Sequence, residues 1–372
     1  VLTESEAVDM IVVCGEALID LVPAGSGESP AGPAPGPALE PATEPAPEPA
    51  RQPASGSAAS GGAASGGAAS GGAASGGLWR AAYGGGPANT AVALARLGTP
   101  AALACRLSDD AFGRRLRQYL LDNGVDLGLA VAATEPTTLA VVALDQYGGA
   151  DYQFYINGTA DWQWSATELP VELPPDTIGV HIGSLASVLS PGAEVLRGWL
   201  AAHRDQTVVT YDVNVRAALL PDRTAYRAHV ADWLDVAHVM KASHDDLAWL
   251  EPDQDPLDVA RAWLDQYDLT LALVTLGPYG AVAVPRGQDL VRVPGVHVDV
   301  VDTVGAGDTF TAAFLHWLAS RDQLTAGVPG PDTLTAALDF AVAAAAIACT
   351  REGAQPPTLA EVEDLLRAGK PA

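Results

Sequence analysis

The chain has 372 residues, 48% of them hydrophobic, with 45 acidic against 20 basic side chains and a formal net charge of −25. Such a balance supports a sizeable core and excludes a surface built to neutralise nucleic-acid or anionic-membrane phosphates. Cys14, Cys105 and Cys349 form no CxxC and the seven histidines show no HExxH spacing, which excludes a zinc framework and suits a reducing cytoplasm.

Taken in chain order, "MIVVCGEALIDLV" (10–22) reads as a buried strand. Residues 24–77 then run from Pro/Ala/Glu-rich sequence into a five-residue repeat whose serines are Ser60, Ser65, Ser70 and Ser75. These tracts lack the apolar side chains that offset the entropy of ordering, so a disordered insertion is expected. A helix at 87–98 ends on Gly98, a strand follows at 101–107, and a second helix at 110–124 stops at Gly124. Alternation over 138–145 and 151–156 predicts a hairpin.

Strands near 178–182, 207–213, 236–240 and 271–276 alternate with helical segments, the rhythm of a mainly parallel α/β sheet covered on both faces. The hairpin breaks that rhythm and predicts a small accessory sheet. The expected division is a core of 1–23, 84–134 and 176–372, a lid of 78–83 and 135–175, and the insertion 24–77. A long alanine-rich helix is predicted over 332–357. No apolar run of membrane-spanning length and no signal-peptide pattern are read, so a cytoplasmic protein with neither nucleic-acid nor membrane partners is expected.

Chemistry concentrates in "VDTVGAGDTF" (301–310). Phe310, Phe314 and Trp317 have the spacing of an apolar helix face, so the stretch reads as strand, glycine turn and helix N-terminus. Such an end offers backbone N–H groups and a positive dipole end to a phosphate. No Gly-Lys-Ser/Thr follows, and Phe310 stands where a dinucleotide fingerprint would have its third glycine. The plain alternative is an ordinary turn with Asp308 complementing the helix dipole.

Two signatures in order carry a family resemblance. "GGGPANTAVALARLG" (84–98) and "DTVGAGDTF" (302–310) resemble the N- and C-terminal signatures of the ribokinase-like, or PfkB-type, carbohydrate kinases. "GEALID" (15–20) is the form shown by bacterial fructokinases in particular. The resemblance implies an α/β three-layer sandwich with a mainly parallel central sheet and a small β lid. It also implies use of ATP, Mg²⁺ and K⁺, with sugar and ATP as partners. An uncovered edge of the lid sheet would suit a homodimer.

By the same resemblance, Asp308 is the general base for a sugar hydroxyl. Read from the residues themselves, Ala306, Gly307 and Asp308 can aim backbone N–H groups at phosphoryl oxygens as an anion hole, and Gly305 and Gly307 permit the close approach. The resemblance also implies the sugar contacts. Asp20 accepts hydrogen bonds from the sugar, Gly84 and Gly85 allow its close approach, and Asn89 offers a donor and an acceptor. Asp302 helps hold a monovalent cation. "YDVNVRAALLPD" (211–222) resembles a D-x-N-x-R stretch, and its Arg216 suits phosphate or carboxylate oxygens; the alternative is an ion pair with Asp212 or Asp222. In "KASHDDLAWL" (241–250), Ser243 and Asp246 stand where the family has the Asn and Glu of its magnesium-associated motif, with Asp246 acting through water. Thr275, Gly277 and Gly280 belong to the implied nucleotide side. Trp162 and Trp164 either stack on a sugar or pack the lid against the core.

The expected function is therefore phosphorylation of a hexose primary hydroxyl by ATP, fructose to fructose 6-phosphate. The enzymatic alternative is a 2-keto-3-deoxygluconate kinase. The alternative of a different class is a non-catalytic sugar or nucleotide binder on the same fold, since function belongs to sites rather than folds.

Overall fold

Alternate residues of the first strand, Met10–Cys14 (β1), face opposite ways: Ile11 and Val13 join one apolar layer, Val12 and Cys14 another. A strand buried on both faces requires helices above and below it. The computed structural model describes residues 9–23, 78–144, 150–325 and 327–369. The insertion expected at 24–77 and most of the hairpin tip lie outside the described residues.

After β1 come Leu18–Pro23 (β2), Trp79–Gly84 (β3), the helix Gly86–Leu97 (α1), Ala101–Ala104 (β4) and Arg106–Ser108 (β5). The helix Ala111–Asp122 (α2) precedes Val131–Ala133 (β6), Leu139–Leu144 (β7), Ala150–Tyr155 (β8) and Thr177–Gly183 (β9). Gly192–His203 (α3), Val208–Asp212 (β10), Arg223–Leu234 (α4), Val239–Ser243 (β11), His244–Leu250 (α5) and Pro256–Gln266 (α6) continue the alternation. The chain closes through Leu271–Thr275 (β12), Ala281–Pro285 (β13), Val291–Val293 (β14), Ala306–Ala319 (α7), Pro331–Cys349 (α8) and Leu359–Arg367 (α9).

The main sheet has the order β14-β13-β12-β11-β10-β9-β1-β4. Its six strands from β12 to β4 are parallel, and β13 and β14 add an antiparallel edge. Buried side chains of α1, α2, α7, α8 and α9 fill one face, and those of α3 to α6 fill the other. Three layers result. A second sheet, β3-β2-β7-β8, stands apart as the small β layer.

Several boundaries differ from the sequence-based expectation. The single strand at 10–22 is two strands, because the Ala17 N–H is taken by Asp161 Oδ1 at 3.0 Å rather than by a neighbouring strand. Residues 18–23, assigned above to the core, pair with β3 and β7 in the small sheet. The strand at 101–107 likewise divides, its second half pairing with β6. The strand expected at 236–240 starts at Val239, since the Ala237 N–H still bonds back to Trp233.

The C-terminal helix stops at Cys349 rather than 357, with Gly353 at positive φ in the loop that follows. That helix is also long and apolar enough to cross a membrane, contrary to the expectation that no such run exists. Here Leu334, Ala337, Leu338, Ala341 and Ala344 are fully buried in the apolar layer shared with α7. Trp162 and Trp164 are buried in the opposite layer, which fits packing rather than sugar stacking.

Candidate active site

Strand order reverses at β1, which has β9 on one side and β4 on the other. Ligands of open α/β sheets sit outside the carboxyl ends of strands at such a switch point. The ends here are Cys14 and Gly183, and two helix N-termini, those of α1 and α7, converge over them. Asp308, in the first turn of α7, is 9% exposed. Asn89 of α1 donates from Nδ2 to Asp308 Oδ2 at 2.9 Å. A Cβ on Gly86 would lie 3.2 Å from both Asp308 Oδ1 and the Cβ of Ser184, which shows how tightly β9, α1 and α7 meet.

The turn before α7 is set by Gly305 at φ +74, a left-handed conformation that side chains rarely adopt. The Ala306 N–H turns back to the Thr303 carbonyl at 3.2 Å, and the Thr309 N–H closes the first helical turn on Gly305. Gly307 and Asp308 therefore supply the first-turn N–H groups that a helix leaves without intrahelical acceptors. Asp302 braces the turn from behind: its Oδ1 accepts from Val304 N–H at 3.0 Å, and its Oδ2 accepts from Gly353 N–H at 2.8 Å. The loop after α8 is thereby tied to the cradle.

Asp20 lies on β2 opposite Ala82 of β3. A Cβ on Gly84 would fall 2.2 Å from Asp20 Oδ2, so the bare backbone at 84 is what lets the carboxylate lie there. Gly85 follows as the residue before α1. Burial pushes the Asp20 carboxyl up to about 6, with Arg216 pulling it down and Asp302 pushing it further up. Burial also raises Asp308, against the Asn89 hydrogen bond and the charges of Lys241 and Arg216. Asp20, Asn89, Arg216 and Asp308 thus share one electrostatic neighbourhood, although they are far apart in sequence.

Arg216 forms neither of the ion pairs considered for it. Asp212 accepts from Lys241 at 2.8 Å, and Asp222 caps α4 through the Thr224 and Ala225 N–H groups. The Arg216 backbone is held by the Tyr226 hydroxyl at 2.9 Å, and its guanidinium touches the Val215 carbonyl.

Ser243 and Thr275 are register partners at the carboxyl ends of β11 and β12, with Gly277 and Gly280 in the turn beyond. Ser243 and Asp246 form a reciprocal capping box at the start of α5. Asp246 Oδ2 accepts from Ser243 N–H and Oδ1 from Val215 N–H, each at 2.8 Å. Each oxygen keeps a further lone pair, which fits a hydrogen bond to metal-bound water. Among the described residues no group of three or more His, Cys, Asp or Glu could hold a metal by itself. That donor set fits magnesium, which retains much of its hydration and binds through phosphates.

Sequence reasoning missed Glu16, Ser184, Asp161 and Lys241. Glu16 is fully buried, accepts from Ala186 N–H at 3.1 Å, and is pushed up to about 7 chiefly by burial. Asp161 holds Ala17 and accepts from the Thr138 hydroxyl, fixing the chain between the two sheets. A lone lysine in the apolar strand "VMKAS" was the available signal for Lys241.

A family model for pfkB family carbohydrate kinases matches residues 71–361. Fructokinase-1 of Oryza sativa subsp. japonica is 37% identical over 286 residues, covering 76% of this chain and 87% of its own. A fructokinase of Rhizobium leguminosarum bv. trifolii is 35% identical over 248 residues, 66% of this chain and 74% of its own. The crystal structure of the Xylella fastidiosa fructokinase with bound ATP superposes with a TM-score of 0.77 at 26% identity, covering 96% of this chain and 98% of that one. A fructokinase double mutant of Vibrio cholerae O395, bound to fructose, ADP and potassium ion, shares the fold with a TM-score of 0.74 at 24% identity, over 98% of this chain and 100% of that one. With its ribokinase-like fold and its two signatures joined at Asn89 and Asp308, the chain belongs to the pfkB family of carbohydrate kinases.

Proposed function

We propose that this carbohydrate kinase transfers the γ-phosphoryl group of ATP to the primary hydroxyl of fructose, giving fructose 6-phosphate. The observation that carries the reading is Asp308: a buried carboxylate in the first turn of α7, aimed by Asn89, with Asp20 in the same electrostatic neighbourhood. Phosphoryl transfer asks a protein mainly to position groups and neutralise charge. Asp20 accepts hydrogen bonds from the sugar hydroxyls, and Asp308 takes the proton of the attacking hydroxyl. The Gly307 and Asp308 N–H groups, with Gly305 shaping the turn and Ala306 opening the helix, face the phosphoryl oxygens. Arg216 adds a guanidinium fork to the same region.

On the nucleotide side, Ser243, Thr275, Gly277 and Gly280 border the base and phosphates. Magnesium, when bound, neutralises the phosphate charge, and Asp246 orients its water. Asp302 and the turn after it would help hold a monovalent cation, which would supply positive charge beside the phosphate cradle. The small sheet acts as a lid whose closure excludes water and so suppresses ATP hydrolysis.

The preference for fructose rests on the plant and bacterial relatives named as fructokinases. The Arg216 guanidinium, which has no carboxylate partner among the described residues, would equally suit the carboxylate of 2-keto-3-deoxygluconate, so the acceptor is tested directly. ATP consumption is measured against a panel of hexoses, ribose and ketodeoxygluconate, with and without Mg²⁺ and K⁺. Fructose-dependent, magnesium-dependent turnover is expected. A preference for ketodeoxygluconate would reassign the substrate, and ligand binding without turnover would make the protein a binder.

A further inference from the structure

Lys241 lies in β11 among apolar neighbours, and its side chain is only 7% exposed. An ammonium there loses several kcal/mol of hydration unless a partner compensates. The partner is Asp212 on β10, its register neighbour, whose Oδ2 accepts from Nζ at 2.8 Å. A buried pair of this kind is often no more stabilising than apolar side chains of the same volume. Its value to the molecule therefore lies elsewhere, and its position indicates where.

Nζ comes within 3.1 Å of the point a Cβ on Gly307 would occupy. The ammonium thus sits directly beneath the first turn of α7, on the helix that carries Asp308. Asp212 Oδ1 makes no hydrogen bond among the described residues, which leaves Lys241 as the partner of that carboxylate. The charged and titratable groups facing Lys241 are Asp212 from β10, Asp246 from α5, Asp308 from α7 and His181 from β9. His181 is held down to about 3 by burial and by Lys241, and hydrogen-bonds Thr210, so it remains uncharged. Burial alone would lower Lys241, but the three carboxylates outweigh it and hold the ammonium above the ordinary lysine value. Asp308 in turn meets Asn89 from α1, Arg216 from the loop after β10, Asp212 and Lys241.

We propose that Lys241 is a positioning residue for phosphoryl transfer: anchored by Asp212 beneath Gly307, its ammonium keeps Asp308 ionised for proton acceptance and places fixed positive charge behind the phosphate cradle. The inference rests on the reading of Asp308 as the base. Replacing Lys241 by a neutral residue leaves Asp308 facing uncompensated negative charge, so its proton is released only at higher pH.

The test compares wild type with K241Q, K241R, the volume-matched double variant D212L/K241M, and D308N. The readouts are melting temperature and kcat/KM for fructose from about pH 5 to about pH 9. K241Q is expected to move the acid limb upward, with about a tenfold loss on that limb for each pH unit moved. K241R keeps the charge and is expected to hold the limb near its wild-type position. D212L/K241M keeps the packing without either charge, so it is expected to stay folded while its limb moves upward by less than that of K241Q, since the repelling Asp212 carboxylate goes with the ammonium. If K241Q does not fold, the double variant and K241R decide the matter.

A stable D212L/K241M protein with an unmoved limb would overturn the inference, because the pair would then serve packing alone. D308N separates the two readings. Near-wild-type turnover in D308N removes the base and this inference with it. An inactive D308N beside an unmoved limb in the Lys241 variants overturns only the role of Lys241.

Discussion

Asn89 and Asp308 stand 219 positions apart and share a hydrogen bond of 2.9 Å across the junction of α1 and α7. The bond does two things at once. It aims the carboxylate into the crevice, and it stabilises the ionised form against burial.

Removing that donor should therefore act on chemistry more than on folding. Hydrogen bonds to a charged group are worth about 1.5–3 kcal/mol, or roughly ten- to a hundredfold. Asn89→Ala is expected to lower kcat/KM for fructose by that factor near neutrality and to move the acid limb upward. A pH series of initial rates checks both, and an unmoved limb would mean that Asn89 does not help keep Asp308 ionised.

Gly84 makes a second prediction. A Cβ there would lie 2.2 Å from Asp20 Oδ2, so one of the two must move. The flexible carboxylate is the group that yields, because the backbone at 84 is fixed by pairing with Leu18. Gly84→Ala is expected to raise KM for fructose about tenfold, equivalent to about 1.4 kcal/mol, with melting temperature and ATP affinity nearly unchanged. An unaltered fructose KM would remove Asp20 from the sugar site.

These residues also show what sequence could and could not supply. The glycine turn, its helix and the succession of parallel strands were legible because apolar periodicity and glycine placement are local properties. Asp20, Asn89 and Asp308 were named from motif resemblance, and the fold brings them into one neighbourhood. The break at Ala17 was not legible, since it depends on a buried carboxylate at Asp161, 144 positions away. Lys241 was passed over for the same reason: its partner, Asp212, lies on another strand, and its proximity to Gly307 exists only after folding. The length of α8 is overestimated from sequence because its alanine-rich run has no strong stop signal before Gly353.

Glu16 predicts an unusual pH dependence of stability. Burial, reinforced by the charge of Asp161, pushes it from its ordinary 4.5 up to about 7. Below about 4.5 the folded and unfolded chains both hold this proton. Between that value and about 7 the unfolded chain releases it first, so this group's contribution to stability falls as pH rises and levels off above 7. The loss is on the order of 3 kcal/mol. Glu16→Gln keeps an oxygen for the Ala186 N–H but carries no charge. It is expected to melt above wild type at about pH 8, with the advantage gone near pH 4.5. Melting curves at the two pH values check this; an equal difference at both would assign the effect to packing.

The most direct test of the whole account is Asp308→Asn, assayed for fructose-dependent ADP formation and, by calorimetry, for fructose and ATP binding. A positioned general base contributes about 10²–10⁴-fold to rate, so turnover is expected to fall by that factor while both ligands still bind. Turnover close to wild type in a correctly folded Asp308→Asn protein would contradict the claim that this carboxylate draws the proton from the sugar.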